Sequence, residues 1–398
     1  MKIALVTDTF LPQINGIATY VANIAEELGR RGHEVLIIAP KIKNPHRKKF
    51  SAKNVKVVEV VSVPVDFLYT EFKVPVMGFP KVLSALNDFK PDLIHFQMPL
   101  PLGVDSILCS KILNIPLVST LHTFMTASEY LLVLMPEKFA NKPVTDFIMN
   151  LSNFMYSAAD LRISVSKELI TELKKSGYRK EVKYIPSCVL LPDPENKKHV
   201  DVKALKKKLG LRTDLKTVLH FGRISGEKMV GEVIEAFSKM KTKDSQLLII
   251  GDGPVKKDLE GLVKELDLEK RVVFTGFIDH QELVSSGILY VGDVFITAST
   301  TENNPMVALE SMAHGLPLIA PAAGGLKSLV DGNGFLVDPH DVEGFSKSLD
   351  LVLSDPKLHL KFSKKSLLLA EERSVENVVT KLLVEYKKAI QKKQALRL

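Results

Sequence analysis

Tryptophan is absent from this 398-residue chain, and cysteine occurs only twice, at Cys109 and Cys188. Two cysteines supply neither a disulfide framework nor a thiolate metal site. No apolar run approaches the roughly 18 residues that span a bilayer. The N-terminus enters a strand at once, MKIALVTD, without the layout of a secretory leader. The fingerprint G-x-G-x-x-G is missing after that strand, so a nicotinamide dehydrogenase has little support. No tract matches a nucleic-acid-binding motif, and nucleic acid is not expected as a partner. Asp92 and His95 in PDLIHF lie three apart but have no evident further ligands, so neither a metal nor another cofactor is expected. These absences predict a cytoplasmic protein.

What is present points to two α/β cores. With 45% apolar residues the chain has material for both. The net charge of +8 is concentrated in two clusters. Lys41, Lys43, Arg47, Lys48 and Lys49 form one run without a balancing acid. Lys387, Lys388, Lys392, Lys393 and Arg397 form another. Such clusters are either ordinary solvated surface or a peripheral contact with anionic lipid headgroups, each cation then contributing about 1 kcal/mol.

Short apolar runs alternate with segments of helical spacing. KIALVTD, EVLIIAP, DLIHF, PLVSTLH and LRISVS read as buried strands, and TVLHFG, LLIIGDG, VVFTG, VFITAS and PLIAP repeat the pattern. Residues 18–31, 341–355 and 374–395 read as helices. PSCVLLPDPENKKHVD, residues 186–201, has three prolines and no periodicity, which marks a boundary. The expected organisation is one α/β domain over 1–190, a second over 191–372, and a helix over 373–398 that packs back on the first.

Ligands of open parallel sheets bind beyond the carboxyl ends of the strands, and the chemically suggestive residues fall there. Glu302 and Glu310 lie eight residues apart in TENNPMVALESMAHG. The first sits on a loop. The second sits on a short helix, Met306 to His314, with Gly315 as its cap. Two carboxylates beside the free N–H groups of a helix mouth suit a ligand both phosphorylated and rich in hydroxyls. In HFGRISGEK, Arg223 and Lys228 can neutralise a diphosphate, although a pair of surface cations would read the same. Asn15 and Gly16 permit a tight loop. His122 ends STLH and can donate a hydrogen bond to a sugar hydroxyl. Gly251 and Phe277 follow strands where the backbone can meet a nucleobase, or where a plain turn suffices. Residues 124–156 are rich in apolar side chains, as a core, a lid or a greasy acceptor entrance would be.

In this order the residues resemble the retaining glycosyltransferases of family 4 over nearly the whole chain. ENNPMVALE matches the family's E-x7-E element, GRISGEK its arginine–lysine element, NGIATY its glycine loop and STLHTF its histidine-bearing strand end. PQINGIATY with LHTF looks closest to members that glycosylate membrane lipids, such as diacylglycerol glucosyltransferases. The resemblance implies a GT-B fold, two Rossmann-like domains with parallel sheets facing across an interdomain cleft. It implies transfer of a hexose from a nucleotide-diphosphate sugar, with UDP-glucose as the default donor, to a lipid or glycan hydroxyl. It assigns the diphosphate to Arg223 and Lys228 and the ribose to Glu310. Glu302 orients the sugar with main-chain groups of Asn304, Met306 and Val307. Gly16 lets the first loop approach the diphosphate, and His122 contacts the transferred sugar. The chain departs from the pattern at Met229, where glycine is common, at Asn303–Asn304 for Gly-Phe, and at PSCV for PNGV. A nucleotide-sugar epimerase and a catalytically silent nucleotide-sugar-binding subunit are the rival readings.

Overall fold

The computed structural model describes residues 1–13, 15–42, 50–64, 73–123, 142–302 and 305–395. The chain divides into two units, Met1–Cys188 with Val375–Leu398, and Val189–Ser374.

The first unit is built on a parallel sheet of β1 (Lys2–Val6), β2 (Glu34–Pro40), β3 (Val55–Val60), β6 (Leu93–Phe96), β7 (Leu117–Leu121), β8 (Leu161–Ser164) and β9 (Lys183–Tyr184). A short antiparallel pair, β4 (Ser62–Pro64) with β5 (Lys73–Pro75), stands apart from it. The sheet order is β3-β2-β1-β6-β7-β8-β9, so the winding reverses between β1 and β6. Every residue of β6 and β7 is buried. Helices cover both faces of such a sheet, which is why its strands read as continuous apolar runs. One face packs Ile24 and Leu28 of the helix Gly16–Arg30 with Val378, Leu382 and Tyr386 of the helix Val375–Ala395. The other face receives Leu86, Leu102 and Met155 from the helices Gly78–Phe89, Pro101–Leu113 and Lys142–Ser157.

The C-terminal helix is locked to this sheet by a buried polar contact as well as by apolar packing. His95 on β6 has Nδ1 2.6 Å from the Tyr386 hydroxyl and Nε2 2.7 Å from Thr120 Oγ1. Burial, with a smaller push from His122, drives the His95 imidazole down to about 3, so it is neutral. Tyr386→Phe strands His95 Nδ1 in the core, and we expect a loss of about 1–3 kcal/mol in urea unfolding. An unchanged midpoint would show that the contact adds nothing to docking of this helix.

The second unit repeats the architecture with β10 (Lys216–Phe221), β11 (Ser245–Ile250), β12 (Val272–Gly276), β13 (Val294–Ile296), β14 (Leu318–Pro321) and β15 (Gly334–Val337), all parallel. Their order is β12-β11-β10-β13-β14-β15. This is a doubly wound sheet whose crevice opens where the order reverses, between β10 and β13. Val233 and Phe237 of the helix Val230–Ser238 and Phe345 and Leu349 of the helix Val342–Ser354 pack on one face. Leu309 and Met312 of the helix Met306–Ala313 pack on the other.

Candidate functional site

In the second unit the carboxyl ends of β10 to β13 form one rim. Backbone bonds carry the pairing past the strand ends. Gly222 N–H donates to Ile250 O at 3.0 Å, Ile224 N–H to Asp252 O at 2.9 Å, and Gly251 N–H to Gly276 O at 2.9 Å. The rim is therefore a stitched ribbon, and it leaves no room for a side chain at Gly251. A Cβ there would lie 1.9 Å from Gly222 O, and the backbone holds φ 147°. Phe277, just beyond β12, is exposed.

Lys228 follows β10 through the short turn Gly226–Lys228. Its Nζ lies 2.6 Å from Glu302 Oε1, on the loop after β13. The pair thus bridges the two strands that flank the switch point, and both side chains are partly buried. Met229, at the glycine position, adopts φ 51°, the left-handed backbone that glycine tolerates best.

Arg223 lies five residues before Lys228. Its guanidinium bonds Glu227, whose Oε1 also accepts the Ser225 hydroxyl at 2.6 Å. Burial pushes the Glu227 carboxyl up, but bonds from Ser225, its own backbone N–H and Arg223 outweigh that and hold it below its ordinary range. Ser299 Oγ, on the β13 loop, donates to Glu227 O at 3.2 Å and ties that loop to the turn.

Glu310 is buried on the helix Met306–Ala313, and its Oε1 lies 2.7 Å from His280 Nε2. No side chain caps this helix at Pro305. Met306 and Val307 turn their side chains to the apolar core, so their main chain forms the helix mouth. Asn303 and Asn304 lie outside the described residues. The hydrogen bond to Glu310 raises the His280 pKa against the opposing effect of burial. A raised folded-state value stabilises the fold below the ordinary histidine value of about 6.5 and is lost as pH rises through the shifted one. The unfolding midpoint of the protein, relative to His280→Gln, should therefore be raised most in mild acid, with the gap closing at alkaline pH. A pH-independent gap would exclude a charged pair.

The remaining predicted residues lie on the equivalent rim of the first unit. Asn15 is a helix cap. Its Oδ1 accepts Ala18 N–H at 2.9 Å, and its Nδ2 donates to Thr9 Oγ1 at 2.6 Å. Gly16 is the first residue of that helix. His122, one residue past β7, is buried with Nε2 2.9 Å from Gln97 Oε1. Lys43 to Lys49 and residues 124–141 lie outside the described residues. Among the described residues no three His, Cys, Asp or Glu side chains are grouped to hold a metal ion.

The sequence reading missed Glu227, His280, Gln97 and Asp8. Glu227 was visible as an acid inside a cationic motif, and His280 as a polar residue just past a strand. Asp8 follows β1 and accepts Leu102 N–H at 3.0 Å. Burial is the main reason its carboxyl rises to about 7. Nothing local to Gln97 distinguishes it from a strand-end residue.

Residues 14–191 match the family described as Glycosyltransferase Family 4, and residues 201–367 match Glycosyl transferases group 1. An alpha-monoglucosyldiacylglycerol synthase of Streptococcus pneumoniae is 29% identical over 369 residues, which cover 90% of this chain and 80% of the relative. A GDP-mannose-dependent alpha-mannosyltransferase of Corynebacterium glutamicum is 27% identical over 403 residues, covering 100% and 91%. Among solved structures, Alr3699/HepE of Anabaena in complex with UDP aligns with a TM-score of 0.73 at 22% identity, over 98% of this chain and 100% of that one. Together, the two family matches and two doubly wound parallel units show that the chain belongs to the family 4 glycosyltransferases of GT-B fold.

Proposed function

We propose that this nucleotide-sugar-dependent glycosyltransferase moves a hexose to the hydroxyl of a membrane lipid with retention of anomeric configuration. The observation that carries the donor half is the Lys228–Glu302 pair at the switch point of the second unit. When the bond from the anomeric carbon to phosphate breaks, negative charge builds on the departing diphosphate. Lys228, Arg223 and the uncapped mouth of the helix Met306–Ala313 are the groups suited to stabilise it. Glu302, freed from Lys228 by the incoming phosphate, orients the sugar, and Glu310 takes the ribose hydroxyls. Gly251, Phe277 and main-chain groups of Asn304, Met306 and Val307 complete the donor contacts. The acceptor oxygen bonds to the anomeric carbon on the face the phosphate leaves, and its proton passes to the leaving phosphate oxygen. No protein nucleophile takes part. Arg223 and Lys228 supply the charge a metal ion would otherwise bring, so a chelator should leave the rate unchanged. On the first unit, Asn15 and Gly16 shape the loop, and His122 meets a hydroxyl.

Two observations support a lipid acceptor. The relatives from Streptococcus pneumoniae and Acholeplasma laidlawii are alpha-monoglucosyldiacylglycerol synthases. Phe147, Leu151 and Phe154 also stand exposed at helical spacing on Lys142–Ser157, as do Val104, Leu108 and Ile112 on Pro101–Leu113. Among the described residues no helix is long and apolar enough to cross a membrane, so this contact is peripheral. The basic cluster that begins at Lys41 adds attraction to anionic headgroups.

The test offers UDP-glucose and GDP-mannose with diacylglycerol in anionic vesicles or with soluble sugars. Transfer to lipid with an unchanged anomeric configuration, read by NMR, is expected. Transfer only to soluble sugars removes the lipid, and an inverted product removes the retaining course. Donor interconversion without transfer would indicate the epimerase, and tight binding without turnover the silent subunit.

A further inference from the structure

We infer that Gln97 is a positioning residue that fixes the tautomer of His122, so that His122 meets its ligand hydroxyl through Nδ1 as a hydrogen-bond acceptor. This rests on the proposed approach of a sugar or acceptor hydroxyl to His122, and reverses the donor role expected from sequence.

The geometry begins with two adjacent parallel strands. Gln97 is one residue past β6 and His122 one residue past β7, and β6 pairs with β7 in register Phe96↔Ser119. The Gln97 backbone is itself held, its N–H donating to Val6 O at 3.0 Å. Its side-chain Oε1 lies 2.9 Å from His122 Nε2. An amide oxygen only accepts, so this contact places the imidazole proton on Nε2 and leaves Nδ1 a bare lone pair. His122 is 3% exposed and Gln97 0%. His122 Nδ1 and Gln97 Nε2 are both buried without a partner. Buried polar atoms are nearly always satisfied, and a bare imidazole acceptor suits a hydroxyl, which can donate to it.

The surroundings keep the imidazole neutral. Burial drives its pKa down to about 3. Among the described residues, the titratable groups beside it are Tyr20, whose ring stands edge-on at 4.9 Å, and His95. Burial, helped by Cys188 and Tyr386, holds the Tyr20 hydroxyl well above its ordinary value. Neither group places a negative charge next to His122 at neutral pH.

The decisive experiment is long-range proton–nitrogen NMR on the full chain with labelled histidine, assigned by loss of signals in His122→Ala. The Nε2–H tautomer is expected throughout the range from about pH 5 to pH 9. Gln97→Leu should give mixed tautomers and lower kcat for transfer from UDP-glucose about tenfold. Gln97→Glu keeps the shape but favours the imidazolium. It should bring a histidine ionisation into the neutral range, with kcat falling as pH drops through it, because a protonated Nδ1 cannot accept. A merely structural glutamine would not move that pH profile. An Nδ1–H tautomer in the unaltered protein, as the opposite amide orientation would produce, overturns the assignment without any variant. So does an unchanged tautomer in Gln97→Leu. Wild-type turnover in His122→Ala, with the tautomer as expected, would instead remove the ligand contact on which the inference rests.

Discussion

Lys228→Ala should lower kcat about 10²–10³-fold, the range seen when one preorganised donor to a developing anion is removed. Circular dichroism and the unfolding midpoint should stay near those of the unaltered protein. Lys228 has its partner across the reversal of strand order, 2.6 Å away on the β13 loop. An exposed ion pair contributes little to stability, and this one is only partly buried, with side-chain exposures of 26% and 16%. Its loss is therefore expected to change folding stability little. Two explanations of a lost rate must be separated. In the first, Lys228 meets the diphosphate. In the second, it only holds Glu302 in place. The double-mutant cycle with Glu302→Gln distinguishes them. If Lys228 only positions Glu302, removing it from the Glu302→Gln enzyme costs nothing further. If it meets the diphosphate, a substantial loss persists in the Glu302→Gln background. Near-normal turnover of Lys228→Ala itself would take Lys228 out of the mechanism.

Gly251→Ala should destabilise the second unit by about 3 kcal/mol or more, combining an unfavourable backbone conformation with a steric overlap. The added Cβ would sit 1.9 Å from Gly222 O, and φ is 147°. The obstructing atom is backbone, and Gly222 is itself bonded to Ile250 O, so no side-chain rotation relieves the clash. The ribbon from β10 to β12 would have to open. Gly226→Ala is the control. That glycine lies on the same rim, but its Cβ would meet nothing within 4 Å, and its φ is not positive. It should change the urea midpoint by no more than about 0.5 kcal/mol. Equal effects at the two positions would show that the close approach at Gly251 is not what the rim depends on. Loss of donor binding by Gly251→Ala at a temperature where it stays folded would add a direct role for that backbone in the site.

Much of the scaffold was legible because buried parallel strands have to be apolar along their length. EVLIIAP is β2 to the residue and VVFTG is β12, while DLIHF and PLVSTLH err only at their ends. The helix bearing Glu310 was placed within one residue, since Pro305 and Gly315 bracket it, the latter at φ 76°. The elements passed over have weaker patterns. β3, VKVVEV, alternates with charge, β15 begins with glycine, and the helix Pro356–Glu371 is crowded with lysine. That last one still carried readable signs, an Asp355 cap followed by proline at the first helical position.

Composition and local pattern by themselves determined two tandem α/β cores and the strands that build them, and they put the candidate residues at the carboxyl ends of those strands. Tertiary structure alone decided who meets whom. Lys228 went to Glu302, His280 to Glu310 and Gln97 to His122, because each pairing depends on how chain segments distant in sequence come together around the sheets. Periodicity records which face of an element leaves water. It holds no record of which strand lies next in the sheet, and the strand order decides which polar groups at the rim come within reach of one another.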